Sequence, residues 1–128
     1  MRSGRDVLNQ ALRLLNYTDI YGRPDSGNDK ELQERGLAVV NQIYADLWHT
    51  DKLEHFTPLR FLDEVVLLPQ KQLTDVMPYG VAMLIALCEG DNNNQQLYAD
   101  IYNRKRTAAT SSRRRLNVLF RGLKGDCV

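Results

Sequence analysis

Eight apolar residues in a row, Val81 to Cys88, form the longest such run in the chain. They are too few to cross a membrane, which takes roughly 18–20. Pro78 stands just before the run and Gly90 just after it. Proline is tolerated in a first helical turn, and glycine is a common residue just past a last one. The pattern predicts a helix starting around Asp75 to Pro78, capped by Thr74 or Asp75 and stopping at Gly90. A helix that is hydrophobic all round must be buried, so the other elements are expected to wrap around this one.

Three other stretches carry the 3.6-residue period that would supply the wrapping. Val7, Leu8, Ala11, Leu12 and Leu15 line one side of a helix from Gly4 to about Asn16, with Ser3 and Asp6 spaced as a capping box. A second helix runs from near Asp29 to about His49, its stripe being Leu32, Gly36, Val39, Val40, Ile43, Tyr44 and Leu47. Gly36 in mid-stripe costs about 1 kcal/mol of helix propensity, and it leaves room for another helix to come close. The fourth helix begins near Asn94, shows Leu97, Tyr98, Ile101 and Tyr102 on its apolar side, and weakens at Thr110, Ser111 and Ser112. Between helices two and three, Pro58 and Pro69 bracket a less regular stretch. Val65 and Val66 allow a brief strand there. The expected fold is an all-α bundle of about four helices, with residues 1–110 as its domain and 111–128 as a basic arm. Its core is expected to hold Val40, Ile43, Leu47, Tyr79, Leu84, Leu87, Leu97 and Ile101.

A chain of 128 residues, 43% hydrophobic and 26% charged, suits one globular domain. Arg2 and Arg5 precede an apolar stretch broken by Asn9, Gln10 and Arg13, which reads as a helix of the mature protein and not as a leader. Cys88 is expected to be a buried core thiol and Cys127 a free one in the tail. Two such cysteines make neither a disulfide framework nor a zinc site, and synthesis in the cytoplasm follows as the default.

The net charge of +1 conceals an asymmetry. Residues 1–103 hold nine basic and fifteen acidic side chains, a net of −6, while residues 104–128 hold eight basic and one acidic, a net of +7. An acidic body with a basic arm is built to meet something negative, either nucleic acid or the body of a neighbouring copy. Arg104, Lys105, Arg106, Arg113, Arg114 and Arg115 are the candidate contact residues. On a continuous helix the two clusters partly share a side.

No motif points to catalysis. The loop from Gly22 to Asp29 has the glycine spacing of a phosphate loop. Where that loop needs Lys and Ser or Thr, this one has Asn28 and Asp29. Asp91, Asn93 and Gln95 alternate like early calcium ligands without the glycine and terminal glutamate such loops use, so they read as a turn. His49 and His55 lack the spacing of a helical zinc pair, and Asp63 and Glu64, being adjacent, diverge. The chain is expected not to be an enzyme and to need no cofactor or metal.

Several segments resemble a known family: Val76-Met77-Pro78-Tyr79-Gly80-Val81-Ala82, Glu89-Gly90-Asp91, Gln95-Gln96-Leu97-Tyr98, Leu14-Leu15-Asn16-Tyr17-Thr18 and Asn41-Gln42-Ile43-Tyr44-Ala45-Asp46-Leu47. Together they are similar to the small head-tail connector, or adaptor, proteins of long-tailed bacteriophages and prophages, over roughly Val7 to Arg106. The resemblance implies a helical bundle, without enzymatic activity or cofactor, that forms a ring of twelve copies below the portal protein and joins the DNA-filled head to a tail or stopper protein. It places the chain at the head–tail junction of the virion, made in the bacterial cytoplasm, with weak sequence-blind DNA contact at most and no membrane. The tail from Leu116 to Val128 lies outside the resemblance. A different reading of the arginines is a small helical DNA-binding regulator, against which the acidic body and the lack of a helix-turn-helix pattern count.

Overall fold

The computed structural model describes residues 2–17, 30–50 and 55–121, with side chains described over 2–17, 34–49 and 55–108. The phosphate-like loop from Gly22 to Asp29 and the last seven residues, Cys127 among them, lie outside the described residues. The fold is an all-α bundle: α1 (Gly4–Leu14), α2 (Lys30–Thr50), a short α3 (Gln70–Asp75), α4 (Met77–Cys88) and α5 (Asn92–Arg121). Among the described residues there is no strand, only one isolated bridge between Ser3 and Val65.

α1 starts where its capping box places it. The Ser3 hydroxyl accepts from the Asp6 N–H at 3.2 Å, and the Asp6 carboxylate accepts from the Ser3 N–H at 3.1 Å. It ends at Asn16, whose φ of 61° turns the chain into the left-handed region. The Asn16 N–H then returns to the Arg13 carbonyl and the Tyr17 N–H to the Leu12 carbonyl, satisfying two otherwise orphaned acceptors. α4 ends the same way. Gly90, at φ 72°, donates to Leu87, and Asp91 donates to Ala86.

The apolar run does occupy the centre, since α4 packs against all four other helices. Yet it is not buried on every side. Val81, Ala82, Ile85 and Ala86 are covered, whereas Leu87 is 57% exposed and Cys88 is exposed as well. Both stand in the last turn, where α4 gives way to the Gly90 turn and α5 has only begun. The expectation of a buried Cys88 thiol is thereby corrected. Of the expected core, Val40, Ile43 and Leu47 are buried, and Tyr79, Leu84 and Ile101 are partly buried against it. Leu87 and Leu97 are not core. Leu97, at 50% exposure, sits one residue before Tyr98, and Tyr98 is what turns inward.

The expected third helix is α4, which starts at Met77, inside the expected window of Asp75 to Pro78, and the short α3 just before it is an added element. Pro78 lacks an N–H and its ring would strike the carbonyl of Thr74, so α3 cannot run into α4. Neither Thr74 nor Asp75 caps α4. The Thr74 hydroxyl donates back to the Gln70 carbonyl at 3.0 Å, and Asp75 is paired elsewhere. The expected weakening at Thr110 to Ser112 does not end α5, which runs on to Arg121 and crosses the boundary expected after residue 110. Thr and Ser cost only a few tenths of a kcal/mol each, and no Gly or Pro occurs between Asn92 and Arg121.

The irregular segment lies on α2 through side chains that take the place of a neighbouring strand. Asn41 brackets Leu59, its amide donating to the Leu59 carbonyl (2.9 Å) and accepting from the Leu59 N–H (2.7 Å). The Tyr44 hydroxyl accepts from the Leu67 N–H at 3.0 Å. Tyr44, Trp48 and Phe56 meet edge-on beneath it, with centroids 5.1–6.1 Å apart.

Two glycines set how closely the helices approach. A Cβ on Gly36 would come within 2.6 Å of Leu8 Cδ2, so α1 does take the space that Gly36 leaves in α2. A Cβ on Gly80 would come within 2.7 and 2.9 Å of the Tyr102 ring. Leu8 can swing its tip aside, whereas Tyr102 is held at both ring and hydroxyl. Gly80→Ala should therefore cost about 1–3 kcal/mol through overpacking. Gly36→Ala should fall within about 1 kcal/mol of the parent, since the helix-propensity gain offsets part of the clash. Urea denaturation of the two variants checks the order.

Candidate functional site

The basic end of the chain was singled out by its charge, and α5 shows how that charge is arranged. Tyr98, Tyr102 and Arg106 follow at intervals of four and so share one side of the helix. That side faces the bundle. The Tyr98 hydroxyl donates to the Leu14 carbonyl at 2.7 Å, at the C-terminal end of α1. The Tyr102 hydroxyl donates to Asp46 Oδ2 of α2 at 2.6 Å. Arg106 meets the same carboxylate, Nη2 donating to Oδ1 at 3.1 Å and Nε lying 2.8 Å from Oδ2. Lys105 reaches Asp75 at the end of α3 (2.9 Å), its ammonium 5.1 Å from the centroid of the Tyr79 ring. A cation over an aromatic face adds about 0.5–1 kcal/mol at exposed sites.

The first basic cluster is thus divided. Lys105 and Arg106 are engaged with the chain's own carboxylates. Arg104 stays on the exposed side with Asp100, one turn back on the same helix, at 3.3 Å. Such exposed pairs add little and leave the guanidinium open to exchange partners. Arg113, Arg114 and Arg115 lie on α5, and their side chains are outside the described residues. Asp46 is the member of this site that charge counting could not find. The Tyr98–Tyr102–Arg106 spacing was the available signal.

At the opposite end of the bundle a second polar node ties helix ends together. Asp91 accepts from the Asn94 N–H (3.3 Å) and side-chain amide (2.7 Å), capping α5, and it also accepts from the Tyr17 hydroxyl at 2.9 Å. Its carboxylate serves as the turn's cap, as the turn reading expects. Nearby, Arg35 of α2 pairs with Glu89 at 3.0 Å. The remaining candidates are structural or apart. Asp63 pairs with Arg5 at 2.7 Å and Glu64 with Arg60 at 3.7 Å. His49 lies beside the Phe56 ring at 6.2 Å, and His55 is exposed at φ 59°. Among the described residues no group of three or more His, Cys, Asp or Glu side chains is placed to hold a metal ion, and no helix is long and apolar enough to cross a membrane.

The tyrosines report these contacts in their acidity. Burial, then the hydrogen bond and charge of Asp46, push the Tyr102 phenol far above its ordinary value, with Arg106 opposing. Burial raises Tyr98, and the neighbouring Tyr79 adds to it. Tyr17 is pushed up to about 12 by burial, by its hydrogen bond to Asp91 and by the charges of Asp91 and Glu89. The same node holds the Asp91 carboxyl below its usual range, first through Asn94 and then through Tyr17.

A phenol whose acidity is weakened by folding stabilises the fold fully below the unfolded value near 10, and that contribution is lost as pH rises through the folded value. Stability should therefore fall from about pH 10 upward, and absorbance titration should show Tyr17, Tyr98 and Tyr102 ionising late. Tyr17→Phe should remove one late phenol without unfolding the chain. Asp46→Ala, which removes the acceptor of the Tyr102 hydroxyl and a carboxylate partner of Arg106, should cost about 1–2 kcal/mol in urea denaturation, and Tyr102→Phe less, because Arg106 still serves the carboxylate. No family model matches this chain, and no curated protein and no solved structure matches it.

Proposed function

We propose that this protein is a structural head-tail connector of a long-tailed bacteriophage or prophage, assembling as a ring below the portal and joining head to tail. The observation that carries the reading is the division of α5. Its first half is fixed to an acidic body through Tyr98, Tyr102, Lys105 and Arg106, while its second half continues as one helix bearing Arg113, Arg114 and Arg115. A ring needs one face that meets a different face on the next copy, and an acidic body with a basic arm supplies such a pair. The same arm could meet an acidic surface of the portal or of a stopper protein. DNA passing through the channel would make weak, sequence-blind contacts at most, because tight binding would hinder its passage. The similarity of the Val76–Ala82, Glu89–Asp91 and Gln95–Tyr98 segments to connector proteins supports the same assignment.

The test is the mass of the full chain, alone and mixed with a candidate portal ring, by light scattering after size exclusion. Many copies joining the portal, or a large ring forming alone, is the expected result. Reversing Arg113, Arg114 and Arg115 to Glu should weaken portal binding by roughly tenfold or more, as replacing attraction by repulsion at a rim does. A chain that ignores portal rings and instead binds DNA with a steep salt dependence would be a regulator and not a connector.

A further inference from the structure

The irregular segment is apolar on both of its sides. Leu59, Leu62, Val66 and Leu68 point into the core, whereas Phe61 (66% exposed), Val65 (40%) and Leu67 (66%) point out. A turn lies within this stretch, the Glu64 N–H donating to the Phe61 carbonyl at 3.1 Å. The patch is preformed. The Val66 N–H is tied to the Arg2 carbonyl and the Leu67 N–H to Tyr44. Its charged surroundings are Asp6, Asp63 and Glu64, with Arg5 and Arg60 paired to the last two, on a body whose net charge is −6. Large apolar side chains gathered in the open mark an interaction surface more often than chance.

The chain carries a segment of matching chemistry. Residues 107–121 of α5 contain four arginines and no acidic residue, and Leu116, Leu119 and Phe120 recur at the spacing of one helical side. Lys105 of α5 stands at Asp75, the last residue of α3. Residues 107–121 extend about 22 Å as one helix with no Gly or Pro. An unbroken helix anchored at Tyr98 and Tyr102 carries residues 113–121 onward from its anchors and not back along them.

We propose that the 116–120 stripe of one copy docks on the Phe61–Val65–Leu67 patch of a second copy, drawn there by the opposite charges of the basic arm and that copy's acidic body. The contact is head-to-tail, and its repetition around a closed ring rests on the connector reading above. One such contact is smaller than a standard interface, so a single pair is weak and repetition does the holding.

The test uses full-length chains and sedimentation over rising concentration. The parent should self-associate, less so at higher salt. Phe61→Asp with Leu67→Asp should be monomeric, and so should Leu116→Asp with Leu119→Asp, with unchanged helical circular dichroism. Mixed one to one, the two variants should form a heterodimer and go no further, since the mixture offers one intact patch and one intact stripe per pair. A parent that stays monomeric to millimolar concentration, or variants that do not complement each other, would overturn the proposal. Self-association without portal binding would sink the connector reading and leave this interface standing. Portal binding by a chain that never self-associates would do the reverse.

Discussion

Tyr102 lies where three helices have to agree. Its ring fills the space left by the missing side chain of Gly80 on α4, where Ile43 of α2 also comes close to Gly80, and its hydroxyl crosses to Asp46. Close approach and hydrogen bond need each other. Without Gly80 the ring could not come near enough for the hydroxyl to reach the carboxylate. Without the carboxylate a buried phenol would be left without a partner, at a cost of about 1–3 kcal/mol. Arg106 then also pairs with Asp46, so one charge of the basic region is held against the bundle. What lies beyond Arg106 on α5 is carried by a helix whose position is already decided.

Much of this was legible in the sequence wherever a local rule and the tertiary structure want the same thing. The capping box at Ser3, the stripes of α1 and α2, the stop at Gly90 and the small residue at Gly36 each follow from one residue type in one place. The misses share a cause. Leu87 and Leu97 are apolar residues at the right period, but the period says which side of a helix a residue is on and not whether a neighbour reaches that far along it. Cys88 was misplaced for the same reason. Pro78 marked the start of α4, whereas α3 before it went unread because six residues are too few to show a helical period.

The candidate site divides along the same line. Clustered charge located α5, yet charge alone does not say which cations face inward. Lys105 and Arg106 turn to Asp75 and Asp46, residues 30 and 60 positions away, and no spacing rule spans such distances. Segments picked out by their resemblance to connector proteins turn out to be joined to one another. Tyr17 meets Asp91, and Tyr98 meets the carbonyl of Leu14. Within this chain those residues close helix ends against each other, which gives them a structural task whatever the protein assembles with.

The anchoring of α5 has a mechanical side. From Tyr98 to Arg106 the helix is held over about 12 Å, and it continues for about 22 Å more to Arg121. The stretch beyond Arg106 is longer than the stretch that holds it. A sideways load applied at Arg121 arrives nearly threefold at the Asp46 contacts and nearly twofold at the Leu14 contact. The direction in which the arm is presented therefore rests on two hydrogen-bonded tyrosines and the two ion pairs of Lys105 and Arg106.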